Sequence, residues 1–303
     1  MKFTLLLLLF VLASFTIGKK PKTTHVPLPG VVAINDTLFA DQTEITNADW
    51  LEYVSWNKHV FGAASNEYWR SLPDSTVWLH QVDCIHHFSR DYFRNPMYRD
   101  YPVVGITLQQ AKAYAKWRSD RVFEFFLYKK GIVPGNQNTV NASNYFTIEG
   151  YFKGEYLNIK PDPRYTEYPE YRLPTTSEQA QMEVYNDSLM RFFSCKKSDC
   201  QQCLKTLQDN RVFIEPCNTA IATTVPMVRK EDLSCLAMKN NPFLYHLNGN
   251  VAEFSDTPDV GLQNNWRDNY YEERIGAIDE KKSPTIGFRC VAQLKTWKGV
   301  SEK

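Results

Sequence analysis

Apolar residues recur at helical spacing most clearly between residues 101 and 131. Thr107 stands three residues before Gln110, which is the spacing of a capping box at a helix N-terminus. The apolar face of the predicted helix consists of Ala111, Tyr114, Ala115, Val122, Phe125 and Phe126. Gly131 follows this face and is expected to end the helix.

Two further helices are predicted, one on either side of this segment. Asn47 is expected to cap the first, because a short polar side chain commonly precedes the first helical turn. The apolar side of that helix consists of Trp50, Leu51, Val54 and Phe61. Thr175 and Glu178 have the spacing of a second capping box, and they predict a helix that starts within YRLPTTSEQAQMEVYND.

Alternating apolar and polar residues predict strands near both ends of the chain. The segment VVAINDTLFADQTEIT alternates on either side of Asn35-Asp36, as a β-hairpin does. The segments CNTAIATTVPMV and TIGFRCVAQL are also expected to form strands. Residues 62–101 lack a clear period, and residues 131–170 predict a long irregular insertion. Short helices, short strands and irregular segments together predict one α+β domain.

The N-terminal residues have the character of a secretory signal peptide. The segment MKFTLLLLLFVLASFTIG combines a basic start, an apolar run and small residues. A transmembrane anchor is the alternative, but the apolar run from Phe3 to Ile17 is shorter than the roughly 20 residues that span a bilayer. The predicted divisions are a signal peptide (1–18), a linker (19–28), the domain (29–297) and a tail (298–303). The mature chain is therefore expected in the periplasm, at the cell surface or in the medium, without an integral membrane segment.

The charge balance bears on the class of partner. The chain has 35 Lys and Arg residues against 34 Asp and Glu residues. This balance predicts neither a nucleic-acid-binding patch nor an electrostatic attachment to a membrane. We expect a protein or cell-envelope partner instead.

Seven cysteines in an exported chain favour disulfides, because an oxidising space preserves them. The odd number leaves at least one thiol that is free or that pairs outside the chain. Cys195, Cys200 and Cys203 have the spacing of a ferredoxin iron–sulfur motif. Export makes disulfides the better interpretation of that spacing.

A second group of soft ligands precedes residue 88. It consists of His80, Cys84, His86 and His87. This combination of residue types is able to bind zinc or copper. Without a second set of ligands, however, such a cluster is more often incidental.

Four landmarks in a fixed order carry a resemblance to a known family. They are DQTEITNADWLEYVSW (41–56), YPVVGITLQQAKAYAKWRS (101–119), YRLPTTSEQA (171–180) and LNGNVAEFSD with IGFRC (247–290). The ordered set resembles the formylglycine-generating enzyme family, also called sulfatase-modifying factor domains. The first two landmarks are most similar to the gliding-motility lipoprotein branch of Bacteroidetes, which is tied to type IX secretion. The resemblance implies one compact α+β domain, similar to the C-type-lectin fold.

The resemblance also implies which chemistry to look for. Active members of the family use copper to oxidise a sulfatase cysteine to formylglycine, and they bind the copper through two cysteines shortly before the G-F-R motif. Soft thiolates suit Cu(I). This chain has no cysteine between Cys235 and Cys290, so copper is not expected. We therefore expect a non-catalytic binding or scaffold protein; the alternatives are a divergent formylglycine-generating oxidase and a lectin-like glycan binder.

The segment YHLNGNVAEFS has two interpretations. Asn248-Gly249 is a favourable type I′ pair, so the segment is consistent with a simple hairpin. The resemblance implies a calcium site instead, because calcium prefers carbonyl and carboxylate oxygens. Carried over by position, the implied ligands are Asn248, Gly249, Val251 and Glu253.

Overall fold

A computed structural model describes most of the chain after residue 25, namely residues 26–79, 87–135, 139–194, 213–214, 225–226, 243–247, 250–257, 261–262, 265 and 282–299. Six α-helices lie in these ranges: α1 Asn47–Phe61, α2 Asn66–Ser71, α3 Phe88–Asp91, α4 Leu108–Lys129, α5 Ile148–Phe152 and α6 Thr176–Ser194. Nine short strands lie there too: β1 Val31–Ala33, β2 Phe39–Asp41, β3 Glu167–Arg172, β4 Phe213–Ile214, β5 Val225–Pro226, β6 Ala252–Phe254, β7 Gly261–Leu262, β8 Ile286–Gly287 and β9 Val291–Thr296. The predicted α+β class is confirmed.

The largest sheet joins the two ends of the described chain. Its strand order is β1-β2-β9-β3, and all neighbouring strands run antiparallel. Phe39 pairs with Ala292 between β2 and β9, so an early strand lies beside the last one. A second sheet has the order β7-β6-β8, in which β6 and β8 are parallel. Strands β4 and β5 form a separate antiparallel pair.

The predicted N-terminal hairpin is confirmed. Strands β1 and β2 pair antiparallel, with Ala33 opposite Phe39. The Asn35 side-chain oxygen accepts hydrogen bonds from the backbone N–H groups of Thr37 and Leu38, at 2.9 Å each. This local pattern is the reason that asparagine favours such turns.

Both predicted capping boxes are present. The Thr107 hydroxyl accepts a hydrogen bond from the Gln110 backbone N–H at 3.2 Å, and the Gln110 side-chain oxygen accepts one from the Thr107 N–H at 2.8 Å. Glu178 accepts from the Thr175 N–H at 2.9 Å and donates its own backbone N–H to the Thr175 hydroxyl. Each box satisfies backbone donors that the first helical turn leaves without partners.

The predicted cap of α1 was wrong by one residue. Thr46 is the cap and forms a capping box with Asp49. Asn47 is instead the first helical residue, and its buried side chain donates to the carbonyl oxygens of Tyr92 and Tyr98. Asn47 therefore connects α1 to the aromatic segment around α3.

The apolar face of α4 was predicted correctly only in part. Ala111, Tyr114, Ala115 and Phe126 are buried, whereas Phe125 is 55% exposed. The buried positions also include Phe123 and Leu127, which were not predicted. Gly131 follows the helix with a positive φ of 70°, as expected for the residue beyond a helix C-terminus. In α1, Leu51 is likewise exposed rather than buried.

The main core forms where α1, α4 and the segment before β9 meet. Trp50 is fully buried, stacks on Tyr114 with ring centroids 5.5 Å apart and meets the edge of Phe288 at 6.0 Å. Its indole N–H donates to the Ser71 carbonyl at 3.0 Å. Burying each large apolar side chain of this kind stabilises a fold by roughly 1.5–3 kcal/mol.

The segment TIGFRCVAQL, which was expected to form a strand, contains two strands. Strand β8 ends at Gly287 and β9 begins at Val291, so Phe288, Arg289 and Cys290 lie between two different sheets. The Ile45 N–H donates to the Phe288 carbonyl at 2.8 Å, and the Asp41 N–H donates to the Cys290 carbonyl at 2.9 Å. This break turns the Arg289 side chain into the buried interior, where it is 0% exposed.

Several predictions fall outside the described residues. These are the signal peptide, the Cys195–Cys203 segment and most of CNTAIATTVPMV, of which only β5 is described. The insertion at residues 131–170 is largely irregular where it is described, apart from α5 and the start of β3. None of the helices in the described part of the chain is both long enough and apolar enough to cross a membrane.

Candidate buried polar site

The four residues predicted to bind calcium are only half described. Val251 and Glu253 are described, whereas Asn248 and Gly249 lie outside the described residues. The backbone is left-handed on both sides of that gap, with φ of 54° at His246 and 62° at Asn250. Residues 243–247 form no strand, so the described residues do not show a simple hairpin of two paired strands here.

The Glu253 carboxylate is engaged by Arg289. The guanidinium Nε lies 2.8 and 2.9 Å from the two carboxylate oxygens of Glu253, and Nη2 lies 2.6 Å from Oε1. Both side chains are 0% exposed. Arg289 also donates to the carbonyl oxygens of Tyr245 at 2.8 Å and Asp41 at 3.3 Å. Burial raises the pKa of the Glu253 carboxyl, and the charge of Arg289 offsets this only in part.

A second buried carboxylate lies close to this pair. Glu44 accepts a hydrogen bond from the Asn250 amide at 2.7 Å, and its other oxygen lies 3.1 Å from His246 Nδ1. Burial opposes ionisation of Glu44, but His246 and then Arg289 outweigh it and lower the pKa of this carboxyl. The side-chain amide oxygen of Asn250, Oδ1, is buried, and no described residue donates a hydrogen bond to it.

A third acid–base pair completes the polar interior. Arg118 Nη1 lies 2.8 Å from the Asp41 carboxylate, which also accepts the Cys290 backbone N–H at 2.8 Å. The Arg118 guanidinium covers the Tyr171 ring at 4.1 Å. The Cys290 side chain is free and 0% exposed, and burial raises the pKa of its thiol.

The described residues do not fit a calcium ion at Glu253. Calcium requires six to eight oxygen ligands, and a carboxylate ligand must direct an oxygen to the ion. Both oxygens of Glu253 already accept from a guanidinium whose positive charge would repel a second cation. Val251 is buried and contributes only its backbone oxygen. The calcium prediction itself stays a prediction, because half of its ligand set lies outside the described residues.

A metal site away from Glu253 would need a cluster of ligand side chains. Among the described residues, no group of three His, Cys, Asp or Glu side chains is placed to hold a metal ion. Of the predicted cluster before residue 88, only His87 is described, and its Nε2 lies 3.4 Å from the Tyr98 hydroxyl. His80, Cys84 and His86 lie outside the described residues.

Sequence patterns missed most of this polar interior. Glu44, His246, Asn250 and Arg289 were not identified as site residues, although Asn250 lies between two residues that were. The available signal was charge within apolar surroundings: Glu44 precedes Ile45, and Arg289 follows Phe288. Charged residues in such positions are seldom buried without a partner.

Comparison with known proteins agrees with the family resemblance. Searches of curated proteins and of solved structures returned no match. The sulfatase-modifying factor enzyme 1-like domain family matches residues 14–294, which is most of the chain and includes both Glu253 and Arg289. The chain therefore belongs to the family of sulfatase-modifying factor enzyme 1-like domains.

Proposed function

We propose that this chain is an exported, non-catalytic member of its family that acts by binding a protein or cell-envelope partner. The similarity of the first two landmarks to the gliding-motility branch suggests gliding motility or type IX secretion as its setting. Family membership alone implies neither catalysis nor its loss, because function depends on the site rather than on the fold.

The lack of a usable thiolate pair carries the proposal. Residues 236–289 contain no cysteine, although the family's copper-binding pair is expected shortly before G-F-R. The nearest thiol, Cys290, follows that motif and is fully buried beside the Arg118–Asp41 pair. Burial favours its protonated form, whereas the thiolate is the form that binds metal. Near this motif, therefore, neither the number of thiols nor the exposure of the one that the structure describes suits Cu(I).

The buried polar site supports the same conclusion. Glu253 and Arg289 belong to the landmarks that identify the family, and they neutralise each other inside the fold. Glu44 is likewise occupied by Asn250 and His246. A catalytic acid or base has to reach a substrate. These groups are therefore better suited to holding loops together than to catalysis.

The direct test is an oxidation assay on the full mature chain. We would incubate it with a sulfatase-motif peptide, copper and oxygen, and follow the cysteine-to-aldehyde mass change. A formylglycine-generating enzyme assayed in parallel serves as the positive control. We expect no product above background. Turnover that copper chelation abolishes would contradict the proposal and favour the alternative, a divergent oxidase.

A further inference from the structure

A surface cleft of about 310 Å³ lies between α4 and β3, away from the buried polar site. Lys112, Ala115 and Lys116 line one wall, and Tyr168, Glu170 and Arg172 line the other. Along α4 the lining extends to Asp120, which at 1.5 Å per residue gives a length of about 12 Å. Its volume is at the lower end of the range for small-ligand sites, roughly 300–1,000 Å³.

The backbone edge beside this cleft is closed to an added strand. Strand β3 is at the edge of its sheet, and its free side faces α4. The Tyr171 N–H on that side already donates to the Ser119 hydroxyl at 2.8 Å. Two residues earlier on the same side is Pro169, which has no N–H to donate. An extended peptide therefore lacks the donors that strand addition uses, and a ligand has to be recognised by side chains.

Every charged residue that lines the cleft has an opposite partner. On the α4 side, Lys112 lies 2.8 Å from Asp256, and Lys116 lies 3.0 Å from Asp120. On the α5 side, Glu149 pairs with Lys153. These pairs leave no charge of either sign for a ligand to neutralise on this side.

The charged residues on the β3 side of the cleft are paired in the same way. Glu170 accepts hydrogen bonds from Lys295 and Gln293, at 2.7 Å each. Arg172 forms two hydrogen bonds with Glu178, one of them at 2.7 Å. A strongly anionic or cationic ligand would have to displace an existing partner. The cleft is therefore electrostatically matched to a neutral ligand.

Paired charges present donors and acceptors side by side. The Lys112 and Asp256 side chains are 47% and 42% exposed, so both remain accessible to a ligand. A hydroxyl group donates and accepts, so it can bridge an ammonium and a carboxylate at once. A ligand with several adjacent hydroxyl groups uses such a surface better than one that only donates or only accepts.

One end of the cleft is aromatic. Trp297 and Tyr168 both line it, and their ring centroids are 6.4 Å apart. Trp297 is fixed by stacking on Phe152, with centroids 4.9 Å apart and an angle of 9°. Fixed aromatic rings provide apolar surface at little entropic cost, which suits the C–H face of a sugar ring.

We propose that this cleft binds a short neutral oligosaccharide. The aromatic end packs against the C–H face of one sugar, and the Lys112–Asp256 end bridges the hydroxyl groups of another. This inference does not depend on whether the chain is catalytic, because the cleft shares no residue with the buried polar site.

The test uses the mature chain on an array of neutral and charged oligosaccharides, followed by calorimetric titration with each neutral glycan that binds. Two cleft variants, Trp297→Ala and Lys112→Met, are compared with Trp69→Ala. Trp69 is a suitable control because it is 61% exposed and does not line the cleft. Far-UV circular dichroism and thermal melting would establish that all three variants fold.

We expect at least one neutral glycan to bind the parent chain and the Trp69→Ala variant equally. We expect each cleft variant to bind it at least ten times more weakly. No binding to any neutral glycan, or binding only to charged glycans, would overturn the proposal. Binding that neither cleft substitution weakens would place the ligand elsewhere and overturn it as well.

Discussion

Arg289 and Glu253 form an ion pair from which solvent is excluded, with Nη2 and Oε1 2.6 Å apart. The two residues are 36 positions apart in the chain, and each belongs to a sequence landmark of the family. The pair joins the middle of β6 to the segment between β8 and β9. Either side chain alone would be an uncompensated charge in the interior.

Removing one member of this pair should therefore destabilise the fold strongly. Breaking a buried ion pair from one side typically costs about 3–5 kcal/mol. We expect Arg289→Met and Glu253→Gln each to lower the free energy of unfolding by an amount of that order, measured by urea denaturation. Lys295→Gln is the control, because Lys295 is 48% exposed and its pair with Glu170 is worth less than about 1 kcal/mol. Equal losses in all three variants would show that burial of the pair is unimportant.

Calcium gives a separate prediction. An ion that binds only the folded state raises the melting temperature by mass action. Because Arg289 occupies both carboxylate oxygens of Glu253, we expect Glu253→Gln to leave any calcium-dependent shift of the melting temperature unchanged. A calcium-dependent rise that Glu253→Gln abolishes would contradict this expectation and support Glu253 as a ligand of the calcium site that the resemblance implies.

The pH dependence of stability should reveal Glu44. The pKa of Glu44 is lowered in the fold from its ordinary value of 4.5, with His246 and Arg289 overcoming the effect of burial. A carboxyl whose pKa is lowered by folding stabilises the protein above its unfolded pKa, and this contribution is lost as the pH falls through the folded pKa. Glu44→Gln should therefore destabilise the chain more at neutral pH than at pH well below 4.5.

Urea unfolding of parent and variant at both pH values measures this difference. Glu52→Gln, on the exposed side of α1, is the control for any general effect of losing a negative charge. A destabilisation by Glu44→Gln that is the same at both pH values would show that Glu44 is not ionised in the fold.

The thiol of Cys290 should react slowly in the native chain. Its side chain is free and fully buried, and burial raises the pKa of its thiol, so both access and thiolate formation are suppressed. We expect Cys290 to resist alkylation in the native chain and to react once the chain is denatured without reductant. Peptide mapping after alkylation identifies the residue. Rapid native labelling of Cys290 would contradict its burial.

Local features were predictable from the sequence, because their partners are close along the chain. The turn at Asn35 and the boxes at Thr107 and Thr175 depend on residues two or three positions apart. The misplaced cap of α1 is also local: Thr46 and Asp49 have a capping-box spacing, with Asp in place of the usual Glu or Gln. Phe125 was misassigned because apolar character alone does not fix which side of a long helix is buried.

The polar interior could not be predicted in this way. Glu44 and Asn250 are 206 positions apart, and Asp41 and Cys290 are 249 apart. No periodicity connects residues at such separations, and only the folded sheet brings them together. The same limit applies to the cleft, whose walls come from α4 and β3 and whose ends come from Asp256 and Trp297.

The central position of β9 has a consequence for when the chain can fold. Strand β9 lies between β2 and β3, so the largest sheet lacks its middle strand until residues 291–296 have been synthesised. Contacts between distant residues also slow folding, because a long loop must close before they form. A nascent chain should therefore be unable to complete this sheet before that point. If the chain is exported, as we propose, this order would allow it to pass through a translocation channel before the sheet forms.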